Sequence, residues 1–231
     1  MEQIKKEKNK ELFFQFFWYF TIFSIIGLII ETLYCYFTTG VIESRKGLLW
    51  GPFCPVYGVG ATIIIFLLDK YKDNVWKLFF YGVILGGIIE YVLSYVLEAI
   101  YGIRFWEYSY LANNLNGRIC ITYSVFWGIL SVFLINGIKP KIDMLLEKIP
   151  YKNIIAKLLF VFFIINAFVT IWGINTYEKR IKEGPNSSER TNNIINKIED
   201  NYFTNERMQK TFPNLRIITQ EGEEVFIKDL I

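Results

Sequence analysis

The run Arg45-Lys46-Gly47-Leu48-Leu49-Trp50-Gly51-Pro52-Phe53-Cys54-Pro55-Val56-Tyr57-Gly58-Val59-Gly60-Ala61 opens with two cations, bends at two prolines and passes straight into an apolar segment ending at Leu68. Its spacing Gly51-x-x-Cys54-x-x-Tyr57 returns 66 residues later as Gly117-x-x-Cys120-x-x-Tyr123. Upstream of each copy stands a second matched pair, Gly27-x-x-x-Glu31 and Gly86-x-x-x-Glu90, 59 residues apart. Two motifs in the same order at nearly equal offsets predict a duplicated helix–loop–helix unit. Each first helix then carries a carboxylate, and the second connection is longer by about seven residues.

Around this run the composition is that of a membrane protein. Hydrophobic residues make up 53% of 231 and aromatics 18%, with 21 Phe, 15 Tyr and 6 Trp. The uncharged runs approach the ~20 residues that a helix needs to cross ~30 Å of hydrocarbon. The chain has no histidine, so the commonest metal ligand and the usual neutral-pH base are both missing. Cys35, Cys54 and Cys120 are too few and too scattered for a metal cluster. No metal or other cofactor is expected. Phe13 to Phe37 is too long for a signal-peptide core, and no small-residue cleavage site follows it.

The predicted fold is an all-α integral membrane protein with five transmembrane helices: a parallel two-helix repeat, one extra helix, and a small polar tail with a β-hairpin. Residues 1–11 form a lysine/glutamate leader and residues 12–175 the five-helix domain. Repeat 1 covers about 12–69 and repeat 2 about 76–138. Segment two spans Pro55 to Leu68, or starts at Leu48 if the proline-containing stretch enters the membrane. Segment three runs Trp76 to Tyr101, segment four Ile119 to Ile138, and the fifth helix about 154–174. Pro140 and Pro150 break the basic loop Lys139–Lys152.

The extracytoplasmic tail is 176–231. Within it Asn192–Tyr202 reads as a short amphipathic helix. Leu215–Thr219 and Glu224–Lys228 alternate apolar and polar around Gln220-Glu221-Gly222-Glu223, which reads as a hairpin. An isolated hairpin is marginal, so it is expected to dock on the exterior loops.

Lys and Arg set the orientation. The N-terminus, the loop near 70–77 and the loop 139–157 carry twelve of them, against four in the connections 40–50 and 102–118. The excess places the N-terminus in the cytosol and, with five crossings, the C-terminus outside. The expected location is the bacterial cell membrane.

Glu31 and Glu90 fall in the outward halves of their helices, and Glu90, Ser94 and Glu98 share one face of segment three at i, i+4, i+8. An intramembrane carboxylate costs ~2.5–3.5 kcal/mol on insertion scales, so it normally faces a cavity or a partner. Arg45, Lys46, Arg104 and Arg118 on the exterior connections are the available cations. One reading is a pseudo-twofold pocket with glutamates below and arginines above, lined by Tyr57, Tyr123, Trp106 and Asn116. Gly27, Gly51, Pro52, Pro55, Gly58, Gly86 and Gly117 then shape its helices and turns. The other reading has the Glu–Arg pairs tie loop to helix. Trp50, Trp106, Tyr57, Tyr108 and Tyr123 fit a membrane-interface belt better than ligand stacking. Cys54 and Cys120 are expected as buried small side chains rather than a disulfide, and Asn166 as an interhelical hydrogen bond. Asn186-Ser187-Ser188 fits a glycosylation sequon.

These residues resemble the bacterial family described as putative ABC-transporter type IV, or CmpB-like permeases. The resemblance rests on Glu31-x-x-Tyr34, on Gly47 through Ala61, on Glu90-Tyr91-x-x-Ser94-Tyr95-x-x-Glu98, on Trp106-Glu107-Tyr108-Ser109 and on Asn116-Gly117-Arg118-Ile119-Cys120. Phe212-Pro213-Asn214 belongs to the same picture. Arg45-Lys46 stands where the family usually has Asn-Arg, and Glu107 where it usually has Asp. The resemblance implies a bacterial membrane permease.

Such a permease needs a separate ATPase subunit, because this chain has no Gly-x-x-x-x-Gly-Lys-[Ser/Thr] loop. Lys139–Lys152 is then the candidate coupling segment. The expected function is a transport-type protein with an outward Glu/Arg pocket for an anionic or lipid substrate. The alternatives are an outer-leaflet lipid-handling protein and an envelope scaffold in which the Glu/Arg pairs are mainly structural. No catalytic residues are expected, since no nucleophile–base pair is present. The lipid bilayer and a homo-oligomer are further partners; with no basic stripe clear of membrane topology, nucleic acid is not.

Overall fold

Glu2–Thr39 is one uninterrupted helix, α1. The lysine/glutamate leader joins it because these residues are strong helix formers with no breaker among them. The computed structural model describes residues 2–150, 152–183, 194–218 and 224–226. The sequon at Asn186 lies outside the described residues.

Helix α2 (Pro55–Leu68) keeps its expected bounds but has only 14 residues. At 1.5 Å per residue that is about 21 Å, short of the ~30 Å hydrocarbon layer. Among the described residues four helical segments are long and apolar enough to cross: Asn9–Thr39, Val75–Ile100, Ile121–Lys148 and Lys152–Ile181. The reason for the short α2 lies in the quoted run. The backbone N–H of Cys54 donates to the Ser24 carbonyl at 2.9 Å, so α2 starts halfway along α1 and runs back beside it. Gly47–Cys54 descends to that level as irregular chain with Leu48, Leu49 and Phe53 buried. Irregular backbone at this depth survives only if protein satisfies it. Gly47 N–H reaches the Phe53 carbonyl at 3.0 Å. Leu49 N–H donates to Thr170 Oγ1 at 2.9 Å and Trp50 N–H to Asn166 Oδ1 at 3.1 Å, while Asn166 Nδ2 donates to the Trp50 carbonyl at 2.8 Å. Asn166 therefore anchors a loop, not a neighbouring helix as expected. Trp50 is packed on Phe162 with its indole N–H on Tyr202 at 2.5 Å.

Helix α3 (Val75–Tyr101) starts on an Asn74 cap and ends at Gly102. Helix α4 (Ile121–Phe133) follows β1 (Ile103–Arg104), β2 (Asn114–Leu115) and β3 (Ile119–Cys120). The two hairpins α1–α2 and α3–α4 close through the same glycine contacts. Gly27 lies against the Tyr57 side chain and Gly86 against that of Trp127. Gly58 lies against the Phe20 carbonyl and Ser24, and Gly128 against the Phe79 carbonyl and Val83. The first-helix partners are 59 residues apart, as the motif predicts, but the second-helix partners are 70 apart rather than 66. Cys54 and Cys120 do align as extended N-caps. Packing equivalence thus sits one helical turn beyond the motif, and Trp127, not Tyr123, is the counterpart of Tyr57. All three cysteines are free.

Beyond α4 a π-helical turn, Leu134–Ile138, leads into α5 (Lys139–Lys148), which buries Ile142 and Leu146. Asp143 meets the hydroxyl of Tyr19 and, at 2.9 Å, Lys139, which also reaches Asp69 at 3.6 Å. Helix α6 (Lys152–Glu183) runs in the direction of α1, since Phe13 meets Phe160 and Phe20 meets Phe163.

The tail forms a cap on the end of α6. Helices α7 (Ile194–Tyr202) and α8 (Asn205–Thr211) precede β4 (Arg216–Ile218) and β5 (Glu224–Phe226). The expected hairpin pairs Ile217 with Val225, and β4 adds to β1 with Ile217 opposite Ile103, so it docks on the second connection. A second small core of Leu49, Ile103, Ile174, Phe203, Met208 and Phe212 holds cap and loops together. Both long connections and the tail therefore share one end of the bundle.

Candidate functional site

The structure divides the expected Glu/Arg pocket into two clusters. In the first, Glu98 accepts from Arg104 and, at 2.8 Å, from Arg118. Arg118 also donates to Ser94 Oγ at 3.2 Å and lies over the Tyr91 and Tyr95 rings at 5.8 and 5.4 Å. One carboxylate thus ties β1 and the second motif's loop to α3. Trp106 donates its indole N–H to the Arg118 carbonyl at 3.0 Å, and exposed Asn116 donates to Tyr91 at 3.0 Å. Asn116 and Gly117 turn the loop at φ of 53° and 66°. These residues shape the connection. Arg45 lies elsewhere, donating to Cys35 Sγ at 2.8 Å with Glu43 at 3.7 Å. Gly51 and Pro52 belong to the Gly47–Cys54 loop, and Pro55 opens α2.

Glu98→Gln would leave two guanidiniums facing a neutral amide. A loss of about 2 kcal/mol is expected, below the full cost of breaking a buried pair because Glu98 is partly exposed. Thermal unfolding in detergent measures it, and an unchanged midpoint would refute the staple.

The second cluster holds Glu31 and Glu90. Glu31 Oε2 accepts from the Tyr57 hydroxyl at 2.5 Å. Glu90, only 6% exposed, accepts from the Tyr108 hydroxyl at 2.7 Å and from Trp127 Nε1 at 3.2 Å. The Tyr57 and Trp127 rings face each other at 5.7 Å, Tyr108 stacks on Tyr123 at 4.7 Å, and Tyr123 meets the Tyr34 hydroxyl at 3.1 Å. Burial first, and the Glu90 carboxylate next, hold the Tyr108 phenol well above its ordinary range, with Glu31 adding in the same direction. Tyr108 therefore stays a donor. Among the described residues neither Glu31 nor Glu90 has a cation within ion-pair distance: their donors are phenols and an indole. This is the main departure from the expected pairing. Arg104 and Arg118, from the second connection, both reach Glu98, the carboxylate of the face nearest the end of α3.

The model of the family described as putative ABC-transporter type IV matches residues 18–171, about two thirds of the chain. The chain belongs to that family. No curated protein and no solved structure matches it. The family match takes in both hairpins, both acidic clusters and the Asn166 anchor of this type IV chain, and leaves the capping tail outside. Together with four apolar helices of spanning length, it makes the chain a multi-pass membrane protein. Of the residues in the aromatic–acid cluster, Trp127, Tyr34 and Tyr108 are not among the expected pocket residues, Tyr108 being expected only in the interface belt. Trp127 sits one turn after Tyr123, and only three-dimensional packing reveals that turn.

Proposed function

We propose that this chain is the membrane-spanning, permease-like component of a bacterial transport system, working with a separate ATPase. The observation that carries the reading is the pair of carboxylates at equivalent places in two similarly packed hairpins, facing one another through Tyr57 and Trp127. Paired sites at the interface of structural repeats are where transporters bind substrate. In this conformation aromatic rings fill the space, so the hairpins must part to admit a ligand. Arg104 and Arg118 are engaged by Glu98 and Arg45 by Cys35 and Glu43, and acceptors with π-faces favour a ligand carrying an amine or other cationic group over an anion. The shared glycine contacts support an internal duplication.

The orientation follows from Lys and Arg: the end bearing Asp69, Lys139 and α5 faces the cytosol and offers the coupling surface, and the tail faces outward. The parallel course of α1 and α6 supports an odd number of crossings, the second being made by Gly47–Cys54 together with α2. The Glu98 staple and the closed ring cluster favour a second reading, a scaffold or outer-leaflet lipid-handling protein.

Native mass spectrometry of gently extracted protein separates the two. A bound small molecule or lipid present in the natural chain and lost in Glu31→Gln/Glu90→Gln, with the fold intact, is the expected result; a co-purifying ATPase identifies the partner. Identical spectra for both forms, with no adduct and no ATPase, would favour the scaffold.

A further inference from the structure

Helix α7 docks the wrong way round for a helix in water. At 100° per residue Ile194, Ile198, Tyr202 and Ile195 fall within one arc about 100° wide. A soluble amphipathic helix turns such an arc onto its core. Here the polar side makes the attachment. Glu199 accepts from Trp172 Nε1 at 2.7 Å, and Arg180 donates to the Glu199 carbonyl at 2.8 Å and to Asp200 at 3.0 Å. The isoleucines are left 75%, 52% and 46% exposed at 194, 195 and 198.

The place of attachment says what covers them. Trp172 to Arg180 is where α6 passes from the apolar run Ile154–Ile174 to Glu178-Lys179-Arg180, the boundary between hydrocarbon and water. Within eight residues before Trp172, Phe168, Ile165 and Ile164 are exposed on α6, as lipid-facing residues are. A helix pinned at this level by its polar side presents its apolar side to the same bilayer. We infer that α7 lies in the headgroup region of the outer leaflet, with Ile194, Ile195 and Ile198 inserted at the acyl boundary. Both acids of α7 are held by α6, and Lys197 is its one cation. Attachment is therefore apolar and does not depend on anionic lipid.

The helix is also wired inward. Tyr202, its last residue, accepts the Trp50 indole N–H of the buried loop at 2.5 Å. The membrane surface is thereby linked to the segment that Asn166 anchors, which gives the inference a mechanical role in holding that loop at its depth.

The test uses nitroxide labels on Ile198→Cys and, separately, on Lys197→Cys of the full chain in phosphatidylcholine nanodiscs. The unsubstituted chain, whose Cys35 and Cys120 are buried, gives the background. The label at 198 is expected to be several-fold more accessible to oxygen relative to a nickel chelate than the label at 197, with no change on adding phosphatidylglycerol. Equal chelate accessibility at both sites would place α7 in water. Shielding of 198 from oxygen and chelate alike would mean that protein, such as a second copy, covers it. Either result overturns the inference and leaves the transport reading untouched.

Discussion

Asn166→Leu is expected to lower stability by about 4 kcal/mol, or to prevent recovery of folded protein. Leucine matches asparagine in size, so packing changes little, but it strands the N–H and the carbonyl of Trp50 together. Each orphaned buried group costs about 1–3 kcal/mol, and here the site is 0% exposed with no water to step in. Thr170→Val is the graded control: it strands only the Leu49 N–H and should cost about half as much. Thermal unfolding followed by size-exclusion fluorescence orders the three proteins. If Asn166→Leu matched the natural chain, the loop would not depend on this amide.

The second large effect is at the hairpin seams. A side chain at Gly58 would meet the Phe20 carbonyl, and one at Gly128 the Phe79 carbonyl. Backbone cannot swing aside as a side chain can, so Gly58→Leu and Gly128→Leu should each cost about 3 kcal/mol through overpacking. The two losses should be similar, since the contacts correspond. Gly137→Ala is the control, because its added carbon would sit 3.6 Å from Phe133, an ordinary contact. Unequal losses at 58 and 128 would count against the proposed duplication.

Hydropathy alone located α1, α3, α4 and α6, because each needs a long apolar run and has one. It could not grade α2, whose apolar run is as pure but shorter than a bilayer. That depended on how deep Gly47–Cys54 descends, which is fixed by hydrogen bonds from Asn166 and Thr170, more than a hundred residues away. The matched pattern was legible in Gly27/Gly86 and in the capping cysteines. Its packing register was not, because a one-turn slide of α4 preserves the helix period and leaves no mark in spacing. The pairing of Glu98, rather than Glu31 or Glu90, with arginine was equally hidden. All three glutamates were within plausible reach of loop cations, and only the course of the second connection decides among them.

The π-helical turn at Leu134–Ile138 sets the angle at which α5 leaves the bundle. Along α4 the buried stripe is Trp127, Gly128 and Ser131, and along α5 it is Ile142 and Leu146. The wide turn holds one residue more, so the whole of α5 is rotated by about one residue's angle, ~100°. Ile142 and Leu146 are buried, and Asp143 meets Tyr19 and Lys139. The bulge acts as a phase shifter. Absorbing it into a regular helix would revolve α5 like a key and carry Asp143 off its partners.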